Sequence, residues 1–263
     1  MSNVRDRVSV WAWVPHALTL GNLFCGCLGV VGVLNGGEDW GAACILVAAV
    51  LDLADGAVAR ALGVESPLGK ELDSLADVVS FGVLPGAMAF GYARGLLPAF
   101  GASPWPLPSH GFWPFEAIPS GTESWWLLCF AAIPLASALR LALFNANNNQ
   151  SRRFVGMPTP AHALWWYSFL QALPSWPMDW VLHLKAWHLG LAALTSAACM
   201  LLPVPALSLK YQPGQVRSNR ATLLTLSCVL IAVGLAQWTG LWLVLLLYLP
   251  YSWCMVRFYL RDS

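Results

Sequence analysis

Charge is what this chain has least of. Only 10% of its 263 residues are Asp, Glu, Lys or Arg, against 58% hydrophobic residues and a mean hydropathy of +0.61. That balance excludes an ordinary soluble domain. Charge of one sign is missing too: fourteen Lys and Arg against thirteen Asp and Glu give a formal net charge of +1. With no basic patch interleaved with aromatics, nucleic acid is not expected as a partner. The seven cysteines contain no CxxC pair and have no histidine at ligand spacing. They read as small buried apolar groups rather than as disulfides or a zinc site. The first 24 residues carry Arg5 and Arg7 but no small-residue cleavage signal, so the first apolar run is expected to be a retained span. Short internal repeats are absent, which leaves a single domain.

What is present is a series of apolar stretches close to the roughly 20 residues needed to cross a bilayer. The predicted spans run from about Leu18 to Leu34, from Ala42 past Asp55, from Gly69 to Tyr92, then Ser124 to Phe144, Pro160 to Trp180, Trp187 to Leu207, Thr222 to Trp238 and Leu241 to Leu260. The expected fold is all-α, a polytopic transmembrane helical bundle of about eight spans: a six-helix core over residues 1–211 and a C-terminal two-helix hairpin over residues 212–263. A short interfacial segment, residues 1–15 with Trp11 and Trp13, is expected to precede it. Residues 95–123, rich in Pro and Gly, read as a loop or interfacial excursion, and most of the fifteen tryptophans as an aromatic belt. Eight spans put twelve of the fourteen Lys and Arg on one side, leaving only Arg94 and Lys185 on the other. The positive-inside rule then makes both termini cytoplasmic.

Against this apolar background the stretch 52–77, DLADGAVARALGVESPLGKELDSLAD, holds four aspartates. Asp52 and Asp55 are three apart, and Asp73 and Asp77 four apart, so each pair shares one face of a helix. Acids inside a membrane are costly without a partner, and four crowded carboxylates repel unless cations neutralise them. Hard oxygen donors favour Mg2+, Mn2+ or Ca2+ over zinc. The pattern therefore predicts a divalent metal site that also holds phosphates, on the cytoplasmic side. A metal-ion transporter is the alternative from another class, although its carboxylates belong at the bilayer midplane between inverted repeats.

The frame is specific. Asp52, Asp55, Gly56, Ala59, Arg60, Gly69, Asp73 and Asp77 match DxxDGxxARx8GxxxDxxxD at every fixed position. This resembles the signature of the CDP-alcohol phosphotransferase family, membrane enzymes that move a phosphatidyl or related group from a CDP-linked donor to an alcohol. The resemblance implies that Asp52, Asp55, Asp73 and Asp77 hold Mg2+ or Mn2+ across the donor pyrophosphate and that Asp77 is also the general base for the acceptor hydroxyl. It further implies that Gly56, Ala59 and Gly69, with Asn22, make room for or bind the nucleotide, and that Arg60 pairs with a phosphate. A homodimer through membrane helices is compatible with it.

Further stretches resemble the phosphatidylserine synthase branch of that family. VPHALTLGNLFCG, residues 14–26, is similar to PNxxTxxNLFCG with His16 in place of Asn; LRLALFN, residues 139–145, is similar to LRLARFN with Leu143 in place of Arg; and FVGMPTPAHA, residues 154–163, is similar to FxGLPxPAAA. PALSLKY, residues 205–211, has a similar counterpart in the branch, and the final hairpin lies outside the resemblance. The implied substrates are CDP-diacylglycerol and L-serine, the implied setting a bacterial inner membrane, and the implied acceptor or phosphate pocket Arg140 and Asn145, with Arg152 or Arg153 standing in for the missing Arg. Glycerol 3-phosphate or inositol phosphate remains the alternative acceptor. Thr19 and Asn22 read equally as interhelical hydrogen-bond glue, and His162 as a packed histidine.

Overall fold

The computed structural model describes residues 11, 13–95, 124–146, 154–202, 205–206 and 242–243. Helix α1 spans Trp13–Leu34 and α2 spans Glu38–Leu62. Helix α3, Pro67–Val78, continues through one π-helical turn, Val79–Val83, into α4, Leu84–Gly95. A 3-10 segment, Ser124–Ala131, leads into α5, Ala132–Ala146. Then come strand β1 (Phe154–Val155), α6 (Thr159–Ala172), a short α7 (Met178–Leu182), α8 (Ala186–Leu201) and strand β2 (Pro205–Ala206). Among the described residues, four helical stretches are long and apolar enough to cross a membrane: 13–34, 39–62, 67–93 and 128–146. The all-helical expectation therefore holds for the described residues, apart from a two-residue antiparallel ladder of β1 on β2.

The α2–α3 connection sets up everything that follows. Gly63 takes a left-handed φ of 63°, the Val64 N–H reaches the Ala59 carbonyl at 3.1 Å and the Gly63 N–H that of Arg60 at 3.2 Å. This is a Schellman stop, which needs a residue without Cβ. Three residues later Ser66 caps α3, its Oγ accepting from Gly69 N–H at 3.0 Å, and Pro67 occupies the first helical position. The two aspartate-bearing helices thus turn back on each other through only 63–66.

Small residues bring α1 and α5 against the α3–α4 rod. A Cβ on Gly26 would lie 2.9 Å from Ser80 Cα, and one on Gly82 would lie 3.0 Å from Ser137 Cβ. Close backbone approach of this kind is how helices associate where lipid offers no hydrophobic drive. The rod ends up central, with Ala76, Phe81, Leu84, Ala89 and Ala93 along its length fully buried, whereas α1 and α2 each leave several large apolar side chains exposed.

Several predicted boundaries move. The first helix starts at Trp13 rather than Leu18, so Trp13 opens the span instead of lying in a separate interfacial segment. The fifth predicted span, 160–180, is not one helix. It breaks after Ala172 into a 3-10 turn, Leu173–Ser175, and α7, because Pro174 and Pro177 remove backbone donors and forbid continuation. The sixth ends at Leu201 rather than Leu207, since Pro203 pushes Leu202 to an extended φ, ψ of −61°, 136°. The chain then pairs with β1, where Gly156 at φ 75° lies so close to the Met200 carbonyl that no side chain fits. Not all tryptophans form a belt: Trp166 is fully buried and Trp165 nearly so, the two rings meeting edge to face at 5.1 Å and Trp165 stacking on Phe169 at 5.3 Å. The predicted spans 222–238 and 241–260 lie outside the described residues, but for 242–243, as does nearly all of the 95–123 loop.

Candidate active site

Helix periodicity puts Asp52 and Asp55 on one face of α2, and the turn at 63–66 brings Asp73 of α3 within reach of both. One carboxylate oxygen from each of Asp52, Asp55 and Asp73 lies within 4.8 Å of the others, with Asp55 buried and the other two half-buried. Two carboxylates at about 4.8 Å repel by on the order of 3 kcal/mol at an effective dielectric of 20. A divalent cation accepting one oxygen from each turns that repulsion into attraction, and an all-carboxylate donor set suits Mg2+ or Mn2+. The three residues therefore fit the metal that the sequence implies. Asp77 falls outside that trio: it is 7% exposed, one helical turn beyond Asp73, and accepts from Asn22 Nδ2 at 3.3 Å.

Helix α1 supplies donors to both aspartate-bearing helices. Thr19 Oγ1 lies 2.6 Å from Asp55 Oδ2 and 3.0 Å from the Pro15 carbonyl. The single hydroxyl proton belongs to the shorter, charge-assisted contact. Asn22, three residues on, is completely buried, and Ser80 Oγ donates to its carbonyl at 2.9 Å. Thr19 was visible in sequence only as ambiguous glue. Its spacing from Asn22 was the signal, but the carboxylate it reaches depends on helix register.

The other expected residues divide. Arg60 is exposed and its guanidinium folds back along α2, so that a Cβ on Gly56 would sit 3.2 Å from Nη1. The bare backbone at Gly56 is what lets the cation lie there. Ala59 and Gly69 are half-buried, and His16 lies against Gly69, its Cε1 3.0 Å from where a Cβ would be. Asn145 Nδ2 donates to Ser74 Oγ at 2.9 Å, which stitches the end of α5 to α3 beside Asp73. Lys70 Nζ lies 5.8 Å from the Phe144 ring centre on the same seam. Arg140 is half-buried a little over one turn earlier on α5. Leu143, where the branch has Arg, is 52% exposed, so the replacement takes no side chain out of the interior. Arg152 and Arg153 lie outside the described residues.

The family model of the CDP-alcohol phosphatidyltransferases matches residues 12–197. The chain belongs to this family. Among its relatives, the CDP-diacylglycerol--serine O-phosphatidyltransferase of Bacillus subtilis (strain 168) is 31% identical over 148 residues, covering 56% of this chain and 70% of the relative. The enzyme of the same name from Mycobacterium leprae (strain TN) is 26% identical over 257 residues, 95% of this chain and 75% of its own. That from Methanocaldococcus jannaschii is 32% identical over 138 residues, 52% and 54% of the two chains. The mycobacterial match runs into the C-terminal segment that the sequence comparison by motif had left outside the resemblance.

Proposed function

We propose that this phosphotransferase moves the phosphatidyl group of CDP-diacylglycerol to L-serine, giving phosphatidylserine and CMP. What carries the reading is the convergence of Asp52, Asp55 and Asp73, within 4.8 Å, beside a buried Asp77, in the family's own frame. The relatives' names support serine as acceptor. So do the branch-like segments at 14–26, 139–145 and 154–163.

In this reading Asp52, Asp55 and Asp73 would be the main holders of the divalent cation, Mg2+ or Mn2+, with Asp77 a lesser contact besides its role as base. When bound, it supplies charge neutralisation at the pyrophosphate and at the departing CMP. Arg60, free to swing from Gly56, pairs with a phosphate of the donor. Gly56, Ala59 and Gly69 leave backbone open to the nucleotide, with Asn22 in the same wall. Asp77 takes the proton from the serine hydroxyl as its oxygen bonds to the phosphatidyl phosphorus, while the bond from that phosphorus to the CMP oxygen breaks. Attack is proposed as a direct displacement, since no Ser, Cys or His in the motif stands out as a nucleophile: Ser66 caps α3 and Ser74 is engaged by the Lys70 carbonyl and Asn145. Arg140 and Asn145 are proposed for the acceptor end, where a guanidinium matches the serine carboxylate, with Arg152 or Arg153 standing in for the branch's Arg.

The protein is proposed to cross a bacterial inner membrane eight times, with residues 1–211 as the catalytic domain and 212–263 as its C-terminal hairpin. Both termini and the site then face the cytoplasm, where CDP-diacylglycerol's headgroup and serine meet. Assembly as a homodimer is part of the proposal. The test is CMP release and lipid product from purified protein given CDP-diacylglycerol and Mn2+ with L-serine, glycerol 3-phosphate, inositol phosphate or no acceptor. Serine-dependent phosphatidylserine is expected. Release driven only by a phosphorylated alcohol overturns the acceptor, and no release at all overturns the enzyme.

A further inference from the structure

Thr19 and Asn22 stand three apart on one face of α1, and each spends a side-chain donor on an aspartate of a different helix: Thr19 on Asp55 of α2 at 2.6 Å, Asn22 on Asp77 of α3 at 3.3 Å. All four groups are buried, Thr19 to 3% exposure and Asn22 to 0%. Only the Nδ2 end of an amide can donate to a carboxylate, so chemistry fixes the way Asn22 points. The Asn22 backbone is itself pinned, since Ser80 Oγ donates to its main-chain carbonyl at 2.9 Å and Gly26, one turn on, lies against the Ser80 backbone. The two aspartates they reach are not equivalent: Asp55 belongs to the convergent trio and Asp77 does not.

We propose that Thr19 and Asn22 are positioning residues with separate duties: Thr19 orients the Asp55 carboxylate toward the divalent cation, and Asn22 holds one oxygen of Asp77 so that the other meets the acceptor hydroxyl. The proposal rests on the metal-dependent transfer argued above. It moves Asn22 from the nucleotide wall to the support of the base, because Asn22 is completely buried and its amide nitrogen faces Asp77. It also explains why a glycine-rich helix that contributes no acid of its own carries two buried polar side chains: the Thr19 hydroxyl and the Asn22 amide nitrogen, costly if left unpaired, each donate to a carboxylate.

The test titrates Mn2+ alone into purified full-length protein, followed by electron paramagnetic resonance, and measures kcat and KM separately for both substrates. Wild type is compared with Thr19→Val, Thr19→Ser and Asn22→Leu, each checked for an unchanged melting temperature in detergent. Partners that orient a metal ligand typically change affinity 10- to 100-fold, so Thr19→Val is expected to weaken Mn2+ by about tenfold or more and Thr19→Ser, which keeps the hydroxyl, by less than about threefold. Asn22→Leu is expected to leave Mn2+ affinity within about threefold and lower kcat by about tenfold or more at little-changed KM, the pattern of a contact that matters in the transition state. Wild-type Mn2+ affinity in Thr19→Val, an equal loss in Thr19→Ser, or an Asn22→Leu effect confined to KM for CDP-diacylglycerol overturns the assignment. Asn22→Ala serves the same comparison where leucine lowers the melting temperature. A wild-type protein that binds no Mn2+ overturns the metal reading itself, an outcome distinct from all of these.

Discussion

The contacts from α1 to the aspartates of the α2–α3 corner and those along helix α6 are both buried, yet they are made by opposite means. At the corner, carboxylates, a hydroxyl and an amide meet at set distances, 2.6 Å from Thr19 to Asp55 and 3.3 Å from Asn22 to Asp77. Along α6, ten of fourteen residues are buried and the contacts are ring on ring, with Trp166 against Trp165 and Phe130, and Phe169 against Trp165 and Trp176. The first region is specified by chemistry, where one atom cannot be exchanged for another. The second is specified by shape, where volume matters and identity less. Function is expected to fail at the corner without loss of fold, and fold to fail at α6 before function is touched.

The largest effect should come from removing a trio carboxylate. Asp52→Ala, Asp55→Ala or Asp73→Ala is expected to cut phosphatidylserine formation by about 1,000-fold or more, equivalent to about 4 kcal/mol of transition-state stabilisation, with the melting temperature held within a few degrees. Near-normal turnover in any of them would break the metal-site argument. Next, Trp166→Ala should lower stability by about 3 kcal/mol or more, read as a fall in melting temperature in detergent, because the cavity it leaves in a fully buried site is only partly closed by relaxation. A variant that melts like wild type would show that the aromatic region is not the packing core it looks like. Arg60→Ala should raise KM for CDP-diacylglycerol by about tenfold, the worth of one phosphate contact of about 1.4 kcal/mol, while a fall in kcat alone would place Arg60 elsewhere in the reaction. Smallest of all, Leu143→Arg, which restores the branch's residue at a half-exposed position, should change turnover by less than about twofold. A large gain there would mean that the acceptor pocket extends to the outer face of α5.

The same contrast explains what could be read from the chain alone. The corner was legible because its chemistry demands particular residues at particular spacings: Asp52, Asp55, Gly56, Ala59, Arg60, Gly69, Asp73 and Asp77 appear in frame, and the structure brings Asp52, Asp55 and Asp73 together. The helices were legible as apolar runs. Helix α6 was not, since in a membrane a lipid-facing side chain and a buried one are equally apolar, and hydropathy cannot separate them. Trp165 and Trp166 therefore passed for belt residues, and the break at Pro174 and Pro177 was masked by apolar neighbours. Which aspartate Thr19 and Asn22 would reach was also beyond the sequence, because that depends on the register of α1 against two other helices, set by contacts such as Gly26 on Ser80.

The account stands most directly on a division of labour among the four aspartates, and one paired measurement tests it: Mn2+ binding and phosphatidylserine formation in the same preparations of wild type, Asp55→Asn and Asp77→Asn. Asp55→Asn is expected to lose both, while Asp77→Asn keeps Mn2+ within about tenfold and loses turnover by about 100-fold or more, the worth of a general base. Wild-type Mn2+ binding in Asp55→Asn, or wild-type turnover in Asp77→Asn, would contradict it.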